Sequence, residues 1–364
     1  MIIYFILLLL WCLLANYFSP KTGVLDDNPK NKWKFCLYSA LLMSLVMGLR
    51  AVTVGSDTPE YLDRYESALG LLTSEYVATE PGYNILNFIS HDFLGLSYTT
   101  FLLLTSLFFC LVLARFIYHF STDSLFSFFI HLTIGSFAMS MSGIRQCLAI
   151  SFCYMALIFL YRSNYKLKRL LAIALVLLAY TFHNSAFFFL PFVLIPKIRL
   201  SKTVLLGIGL LSLLVFVFND AIGSFILNYV PTRYSEFSLN TKYHANIWVY
   251  PVPASILLFS FFCIRPDNKG KYSEEMSLWF LFLIMNLVFF AFISLNNQIG
   301  RLSYYFINAY MITIPLAINT IRVRNNIQLK WVVIFFCLLF FIMGNYGGVF
   351  AIDEYKFFWQ AATH

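Results

Sequence analysis

The sequence contains little charge. Asp, Glu, Lys and Arg make up 12% of its 364 residues, about half of the roughly 25% that soluble domains carry. So few charged side chains cannot form the polar shell that a water-soluble fold needs. The composition therefore excludes a soluble globular protein.

Motifs for metals and nucleotides are also missing. The chain has no D-x-D, no H-E-x-x-H, no Cys/His cluster, no Walker motif and no G-x-G-x-x-G, so we expect no metal site, no cofactor and no nucleotide-driven chemistry. The seven cysteines are irregularly spaced and lie mostly in apolar runs, which is typical of small membrane-embedded side chains. The net charge of +8 is dispersed over short loops, which indicates membrane topology and not nucleic-acid binding.

The sequence is instead rich in continuous apolar runs. Hydrophobic residues make up 60% of it, and its mean hydropathy is +0.76. Runs of about 15–20 residues match the length of a helix that crosses a hydrocarbon layer of about 30 Å. Barrel strands would alternate with a period of two, and open sheets would leave backbone groups unsatisfied in lipid. The sequence therefore predicts an all-α, polytopic transmembrane bundle of about 12 spans, in a single integral membrane domain over 1–364.

The predicted spans follow the apolar runs. They are 1–18, 35–49, 98–117, 125–141, 144–161, 168–183, 185–196, 203–219, 250–264, 277–294, 302–320 and 330–346. A short amphipathic stretch at 83–96 is expected to lie at the interface, and the outer loops are about 50–97 and 220–249.

The distribution of Lys and Arg predicts the orientation. Alternating these spans places 18 of the 25 basic residues on one side, which the positive-inside rule assigns to the cytoplasm. A polar break at 181–185 lies between two basic loops, so we expect a hairpin of two short helices there and not one long span. Both termini and the remaining basic residues then face outward.

Three of the outward arginines, Arg50, Arg145 and Arg301, lie at or near predicted helix ends. An arginine near the membrane core costs about 2.5–3.5 kcal/mol on insertion scales, so each needs a compensating interaction. A guanidinium matches phosphate oxygens and stays charged when partly desolvated. Converging from separate helices, the three would bind a phosphate or pyrophosphate. Taken singly, each is equally explained by snorkelling or by pairing with a carboxylate.

Other polar residues lie on the same predicted side. Asp57 and Glu80 in the first outer loop are candidates for a general base, and His183 at the polar break is a third. An acidic loop is also explained by solvation alone, and a lone histidine among apolar neighbours is more often a packed, hydrogen-bonded residue. The candidates for positioning sugars or phosphate are Tyr61, Gln146, Tyr304 and Tyr305.

Five motifs, in this order, resemble the EpsG-like branch of the Wzy-type polysaccharide polymerases. They are Gly48-Leu49-Arg50 with Gly55-Ser56-Asp57-Thr58 and Tyr61, then Glu80-Pro81-Gly82-Tyr83-Asn84, Gly143-Ile144-Arg145-Gln146-Cys147-Leu148-Ala149, Phe182-His183-Asn184-Ser185-Ala186 and Gly300-Arg301-Leu302-Ser303-Tyr304-Tyr305. Each motif alone is unspecific. Together they cover roughly 48–306 and lie on one predicted face.

This resemblance implies a GT-C-like, metal-independent glycosyltransferase of the bacterial inner membrane, with its active site facing the periplasm. Such enzymes polymerise undecaprenyl-diphosphate-linked oligosaccharide repeat units into O-antigen or other surface polysaccharide. The implied partners are the lipid-linked glycan donor and acceptor, the lipid bilayer and a chain-length regulator, without nucleic acid.

The resemblance and the arginine pattern together predict roles for the candidate residues. Arg145 and Arg301 would hold the donor diphosphate, and Arg50 would bind the same group or orient the first outer loop. One of the two carboxylates or the histidine would accept the proton of the acceptor hydroxyl.

Three other functions compete with the polymerase. An O-antigen ligase would share the fold and the donor. A lipid-linked oligosaccharide flippase would need cationic residues reachable from both faces, whereas these lie on one predicted side. A membrane acyltransferase commonly carries an acidic residue beside its histidine, and His183 has none next to it in the sequence.

Overall fold

The computed structural model of the protein is helical throughout the residues it describes. These are 1–19, 24–73, 80–195, 197–218, 221–222, 225, 251–293, 300–321, 323–345 and 350–360. This part of the chain is 80% helix and contains no β-strand, which confirms the predicted all-α class. The predicted outer loop 220–249 lies, apart from 221–222 and 225, outside the described residues.

The chain groups into two compact units. Unit 1 comprises Met1–Leu194 and Ile334–His364, and unit 2 comprises Ile195–Val333. This division does not test the prediction of one membrane domain, because a polytopic bundle can contain two such units.

Most helices agree closely with the predicted segments, but the segments predicted at 185–196 and 302–320 begin with 3-10 turns and contain shorter α-helices. Those of unit 1 are α1 (Ile2–Phe18), α2 (Pro29–Gly48), α3 (Thr58–Glu66), α4 (Ala68–Thr73), α5 (Pro81–Phe88), α6 (Tyr98–Phe120), α7 (Ser124–Thr133), α8 (Ser136–Ser142), α9 (Ile144–Arg162), α10 (Lys168–Phe182) and α11 (Leu190–Leu194). Those that follow are α12 (Lys202–Val217), α13 (Pro251–Cys263), α14 (Glu274–Ala291), α15 (Tyr310–Thr320) and α16 (Val323–Asn345), the last of which begins in unit 2 and ends in unit 1.

Fewer helices than predicted are long enough to be membrane spans. Four qualify by length and composition in the described residues, and the bent pair of α7 and α8 adds a fifth if its halves form one span. Four shorter apolar helices have 10–17 residues and are at most about 26 Å long, less than a layer of about 30 Å. The structure thus supports a membrane protein with four or five candidate spans, and it does not confirm about 12.

The predicted segment 125–141 is not one straight helix. It divides into α7 and α8 with a bend of 61°, because Gly135 between them has φ +89°, a conformation that glycine adopts without strain. Ser136 Oγ donates to the carbonyl of His131 at 2.8 Å, which satisfies a backbone group that the break leaves free.

Unit 1 is built around α2, α6, α9 and α10, each packed against the next. Gly48, the last residue of α2, allows a close approach, since a Cβ there would lie 2.5 Å from Leu103 Cα on α6. Beyond α10, the short α11 packs back against it, as expected for a hairpin at the polar break.

The two ends of this bundle differ in chemistry. At one end Lys32 Nζ donates to the carbonyl of Ser121 at 2.7 Å, and Arg162 donates to the carbonyl of His119 at 3.0 Å. This basic end joins the start of α2 to the last residues of α6 and α9. The opposite end joins the end of α2 to the starts of α6 and α9 and to the end of α10.

A C-terminal strap, residues 350–358, closes the opposite end of unit 1. The backbone N–H groups of Ala51 and Gly55 donate to strap carbonyls at 2.8 and 3.0 Å, and Tyr4 Oη donates to a third at 2.8 Å. The strap therefore fixes the segment that connects α2 to α3.

Arg50 lies inside this connecting segment and is only 1% exposed. Its Nε donates to the carbonyl of Val54 at 3.2 Å, and its Nη1 donates to the carbonyl of Met47. These contacts hold the segment that connects α2 to α3. Both roles predicted for Arg50, orienting the first outer loop and binding the donor phosphate, stay predictions.

Unit 2 is assembled around α14, which contacts α12 and α13, while α15 contacts α13. Its connecting loops are joined by an ion pair of 2.5 Å between Arg199 and Asp267. Tyr272 Oη donates to the carbonyl of Ile264 at 3.1 Å.

The contact of the connecting segment with α8 can be tested by adding a single methyl group. Gly55 has φ +96°, and a Cβ there would lie 2.5 Å from the carbonyl oxygen of Met141. We expect Gly55→Ala to destabilise the purified protein by about 2–4 kcal/mol, from left-handed strain plus this clash. Thermal unfolding, monitored by fluorescence-detected gel filtration, measures this loss of stability.

The matched control is Gly135→Ala, since Gly135 has φ +89° but a Cβ would meet no atom within 4 Å. It should cost only about 1 kcal/mol of backbone strain. Equal destabilisation by the two substitutions would show that the contact with Met141 is unimportant.

Candidate active site

Four of the predicted site residues meet at the end of unit 1 opposite the basic end. Tyr61 lies on α3, Glu80 immediately precedes α5, Arg145 is the second residue of α9 and His183 directly follows α10. Helix ends bring them together: a proline begins α5, Gly143 precedes α9 and an extended His183 ends α10.

Glu80 is the centre of this group. One carboxylate oxygen forms an ion pair with Arg145 Nη1, and the other lies 2.7 Å from His183 Nδ1. The side chains of Arg145 and His183 are 19% and 20% exposed, against 9% for Glu80. A ligand can therefore reach the side chains of Arg145 and His183 while the carboxylate stays enclosed.

This pairing determines which nitrogen of His183 carries a proton. An ionised carboxylate can only accept hydrogen bonds, so Nδ1 must be the donor to Glu80. A neutral imidazole then has its lone pair on Nε2, where it can accept a proton from a substrate. His183 held by Glu80 thus has the arrangement of a general base with an orienting carboxylate.

Tyr61 forms the other side of the Arg145 environment. The guanidinium carbon lies 5.3 Å from the centre of the Tyr61 ring, within the range of a cation–π interaction, and Arg145 Nε lies 3.5 Å from the phenol oxygen. Tyr61 is 2% exposed and packs edge-on against Tyr83 at 5.8 Å between ring centres. Arg145 thus lies over a buried aromatic layer, where its charge is weakly screened.

The position of Glu80 depends on a close approach of α5 to α10. A Cβ on Gly82 would lie 2.3 Å from Thr181 Oγ1, 3.0 Å from Thr181 Cβ and 3.1 Å from its carbonyl oxygen. Only glycine fits at this contact. Gly82 is two residues after Glu80, and its neighbour Thr181 is two residues before His183. Sequence reasoning gave Gly82 no role, because glycine in a Pro-Gly pair is usually explained by a turn.

The electrostatics of the cluster favour an ionised Glu80. Burial alone would raise the pKa of this carboxyl, but the hydrogen bond from His183 and the charge of Arg145 outweigh it and lower the pKa below its ordinary value of 4.5. Glu80 is therefore a poor proton acceptor near neutral pH. The geometry favours His183 as the group that takes the proton and Glu80 as the group that orients it.

Two other predicted residues of unit 1 are Asp57 and Gln146. Asp57 is at the N-cap position of α3 and accepts a hydrogen bond of 3.0 Å from Ser56 Oγ. Gln146 is 3% exposed and follows Arg145 on α9. Their predicted roles, as base and as substrate ligand, stay predictions.

Arg301, Tyr304 and Tyr305 belong to unit 2. Arg301 is half-buried and caps a 3-10 turn, Leu302–Tyr305, in which Tyr305 is buried and Tyr304 is half-buried. Gly300, directly before Arg301, packs tightly, since a Cβ there would lie 2.6 Å from Ile293 Cγ1. The convergence of Arg145 with Arg301 stays a prediction.

The acidic neighbour that His183 lacks in the sequence is supplied by the fold. Glu80 is 103 positions away along the chain, so no local pattern could have revealed it. The argument that His183 lacks an acidic partner, which disfavoured an acyltransferase, is therefore wrong.

Within the described residues, no group of three or more His, Cys, Asp or Glu side chains is arranged to hold a metal ion.

A family model described as the EpsG family matches residues 33–357 of the chain. No curated protein and no solved structure matches the chain.

The contact between α5 and α10 can be tested at Gly82. Gly82→Ala should displace Glu80 from His183 and lower the activity that depends on this cluster about 10–100-fold, because catalytic geometry tolerates only shifts well under 1 Å. The activity of the variant, scored against the amount of protein in the membrane, measures this loss. Gly70→Ala is the control, since a Cβ there meets nothing within 4 Å; equal effects would contradict this role for Gly82.

The lowered pKa of Glu80 predicts a pH dependence of stability. A carboxyl whose pKa is lower in the folded than in the unfolded state contributes its full stabilisation above the unfolded-state pKa, here 4.5. This contribution is lost as the pH falls through the folded-state pKa. The melting-temperature difference between wild type and Glu80→Gln should not decrease from about pH 7 to about pH 5, and should decrease below about 4.5. If the melting-temperature difference begins to decrease above about pH 5, the pKa of Glu80 is not lowered. Glu60→Gln, which removes an exposed ion pair, is the control.

Proposed function

The chain belongs to the EpsG family of polysaccharide-polymerase-type membrane proteins, and from this premise we propose that it polymerises undecaprenyl-diphosphate-linked oligosaccharide repeat units. The product is O-antigen or another surface polysaccharide. The reaction takes place at the periplasmic side of a bacterial inner membrane, in a GT-C-like fold.

The Arg145–Glu80–His183 cluster is the observation that carries this proposal. It combines a cation for a diphosphate with an oriented base for a hydroxyl, which are the two groups that glycosyl transfer from a lipid diphosphate needs. The periplasmic assignment is supported by the opposite end of unit 1, where Lys32 and Arg162 lie, because basic residues favour the cytoplasmic side.

In the proposed reaction, Arg145 and Arg301 hold the donor diphosphate. The acceptor hydroxyl loses its proton to His183 Nε2, and its oxygen forms the new bond to the anomeric carbon of the donor sugar. The bond between that carbon and the diphosphate oxygen breaks, and its electron pair leaves with the lipid diphosphate. The guanidinium groups stabilise the charge that develops there.

Arg145 can bind the diphosphate while it stays paired with Glu80. A guanidinium has five N–H donors in a planar fork, and the ion pair with Glu80 uses Nη1. The resting pair holds the side chain over Tyr61, so little conformational freedom is lost when the donor binds. Of the remaining candidates, Asp57 stays an alternative base, and Tyr61, Gln146, Tyr304 and Tyr305 would position sugars or phosphate.

A membrane acyltransferase is a second candidate, because the His183–Glu80 pair would suit a hydroxyl acceptor there too. Membership of the EpsG family favours the polymerase. An O-antigen ligase would use the same donor groups, and strains lacking the protein would then make long polymer that stays on its lipid carrier. A flippase would not need an oriented base.

The role of the arginines is tested by Arg145→Lys and Arg301→Lys. Lysine keeps the charge but loses the bidentate fork, so each variant should lower the rate about 10²–10³-fold while the protein still reaches the membrane. Purified protein incubated with synthetic lipid-diphosphate repeat units, without added metal, should give a ladder on gels that each variant loses.

Arg64→Lys is the matched control, because Arg64 lies on α3 in an exposed ion pair with Glu60 of 2.8 Å. It should leave the ladder unchanged. Wild-type chain lengths from both Arg145→Ala and Arg301→Ala in cells would refute the proposed mechanism. Transfer of a preformed glycan to added lipid A core, without a ladder, would instead identify a ligase.

A further inference from the structure

One buried amide in unit 2 lies beneath the segment that carries Arg301. Asn286 interrupts the apolar face of α14 and is 1% exposed. A polar side chain inside a membrane helix is costly unless it is hydrogen-bonded, and such residues usually serve function.

Both polar atoms of the Asn286 amide form hydrogen bonds with the same neighbouring segment. Its Nδ2 donates to the carbonyl of Ser303 at 3.0 Å, and its Oδ1 accepts a hydrogen bond from Tyr310 Oη. Ser303 is two residues after Arg301, and Tyr310 begins α15. The amide therefore joins the turn that carries Arg301 to the start of the next helix.

α14 and the turn that follows it hold this segment at two further points. Phe306 packs against Phe282 at 5.2 Å and against Phe289 at 5.8 Å between ring centres. Ile293 lies under Gly300, where a Cβ would be 2.6 Å from Ile293 Cγ1. Contacts before and after Arg301 in the chain thus fix its backbone. Among them, the hydrogen bond from Asn286 is the polar contact.

We infer that Asn286, together with Tyr310, is a positioning residue for Arg301. This inference rests on the proposed function, in which Arg301 holds the donor diphosphate. The carbonyl of Ser303 accepts the backbone N–H of Phe306 at 3.0 Å as well as Nδ2 of Asn286. The amide therefore anchors a 3-10 turn whose own hydrogen bonds have poorer geometry than those of an α-helix. Without the Asn286 amide the turn would relax, and the guanidinium would lose the sub-ångström placement that catalysis needs.

The test is a double-mutant cycle on purified full-length protein. Asn286→Leu keeps the side-chain size and removes both hydrogen bonds, and we expect kcat/KM for the synthetic lipid-diphosphate donor to fall about 10–100-fold. In an Arg301→Lys background the same substitution should have less than about a threefold effect, because a residue that acts only through Arg301 has nothing left to position. Tyr310→Phe, which removes one of the two bonds, should give a smaller loss.

Thr313→Val is the control for loss of a buried polar group. Thr313 Oγ1 donates at 3.0 Å to the carbonyl of Ala309 in the preceding turn, and Thr313 is fully buried. Thr313→Val should leave kcat/KM unchanged, and the change in its melting temperature measures the loss of stability. Asn286→Leu and Thr313→Val are compared at equal amounts of folded protein.

Three results would overturn the inference, for two different reasons. If Arg301→Lys has wild-type activity, the role of Arg301 in the proposed function fails and the positioning role fails with it. If Arg301→Lys is impaired but Asn286→Leu has wild-type kcat/KM, or if the two losses multiply, Asn286 does not act through Arg301 and only this inference is wrong.

Discussion

The candidate site depends on one carboxylate that two helices share. Glu80 lies between Arg145 at the start of α9 and His183 at the end of α10. A buried carboxylate costs several kcal/mol unless it is paired and hydrogen-bonded, and here each oxygen has its own partner. The interaction therefore fixes three separate parts of the chain relative to one another, and everything else around the site serves to keep that geometry.

Glycine and aromatic side chains provide the support. Gly82 lets α5 approach the last turn of α10 closely enough for Glu80 to reach His183. Tyr61 and Tyr83 form the layer on which the Arg145 guanidinium lies. These groups exclude water from one side of the charges, so that the electrostatic attraction between them is stronger than it would be at an exposed surface.

The three arginines near helix ends have different surroundings. Arg50 is 1% exposed and donates to backbone carbonyls. Arg145 is 19% exposed and paired to a carboxylate. Arg301 is half-buried in a turn that α14 holds in place. The three guanidinium groups are thus stabilised in three different ways, which the residue type alone does not reveal.

The sequence by itself determined the helical class and the location of most helices, because both follow from continuous apolar runs. The predicted segment 98–117, for example, is the helix Tyr98–Phe120. It did not determine the number of spans, since the bend at Gly135 and the short helices depend on packing. It also did not pair Glu80 with His183 or Asn286 with Ser303, because these contacts join parts of the chain that have no local pattern in common. Tertiary packing alone decided which polar residues became partners, since a buried hydrogen bond requires atoms within about 3 Å and only the folded backbone brings them that close.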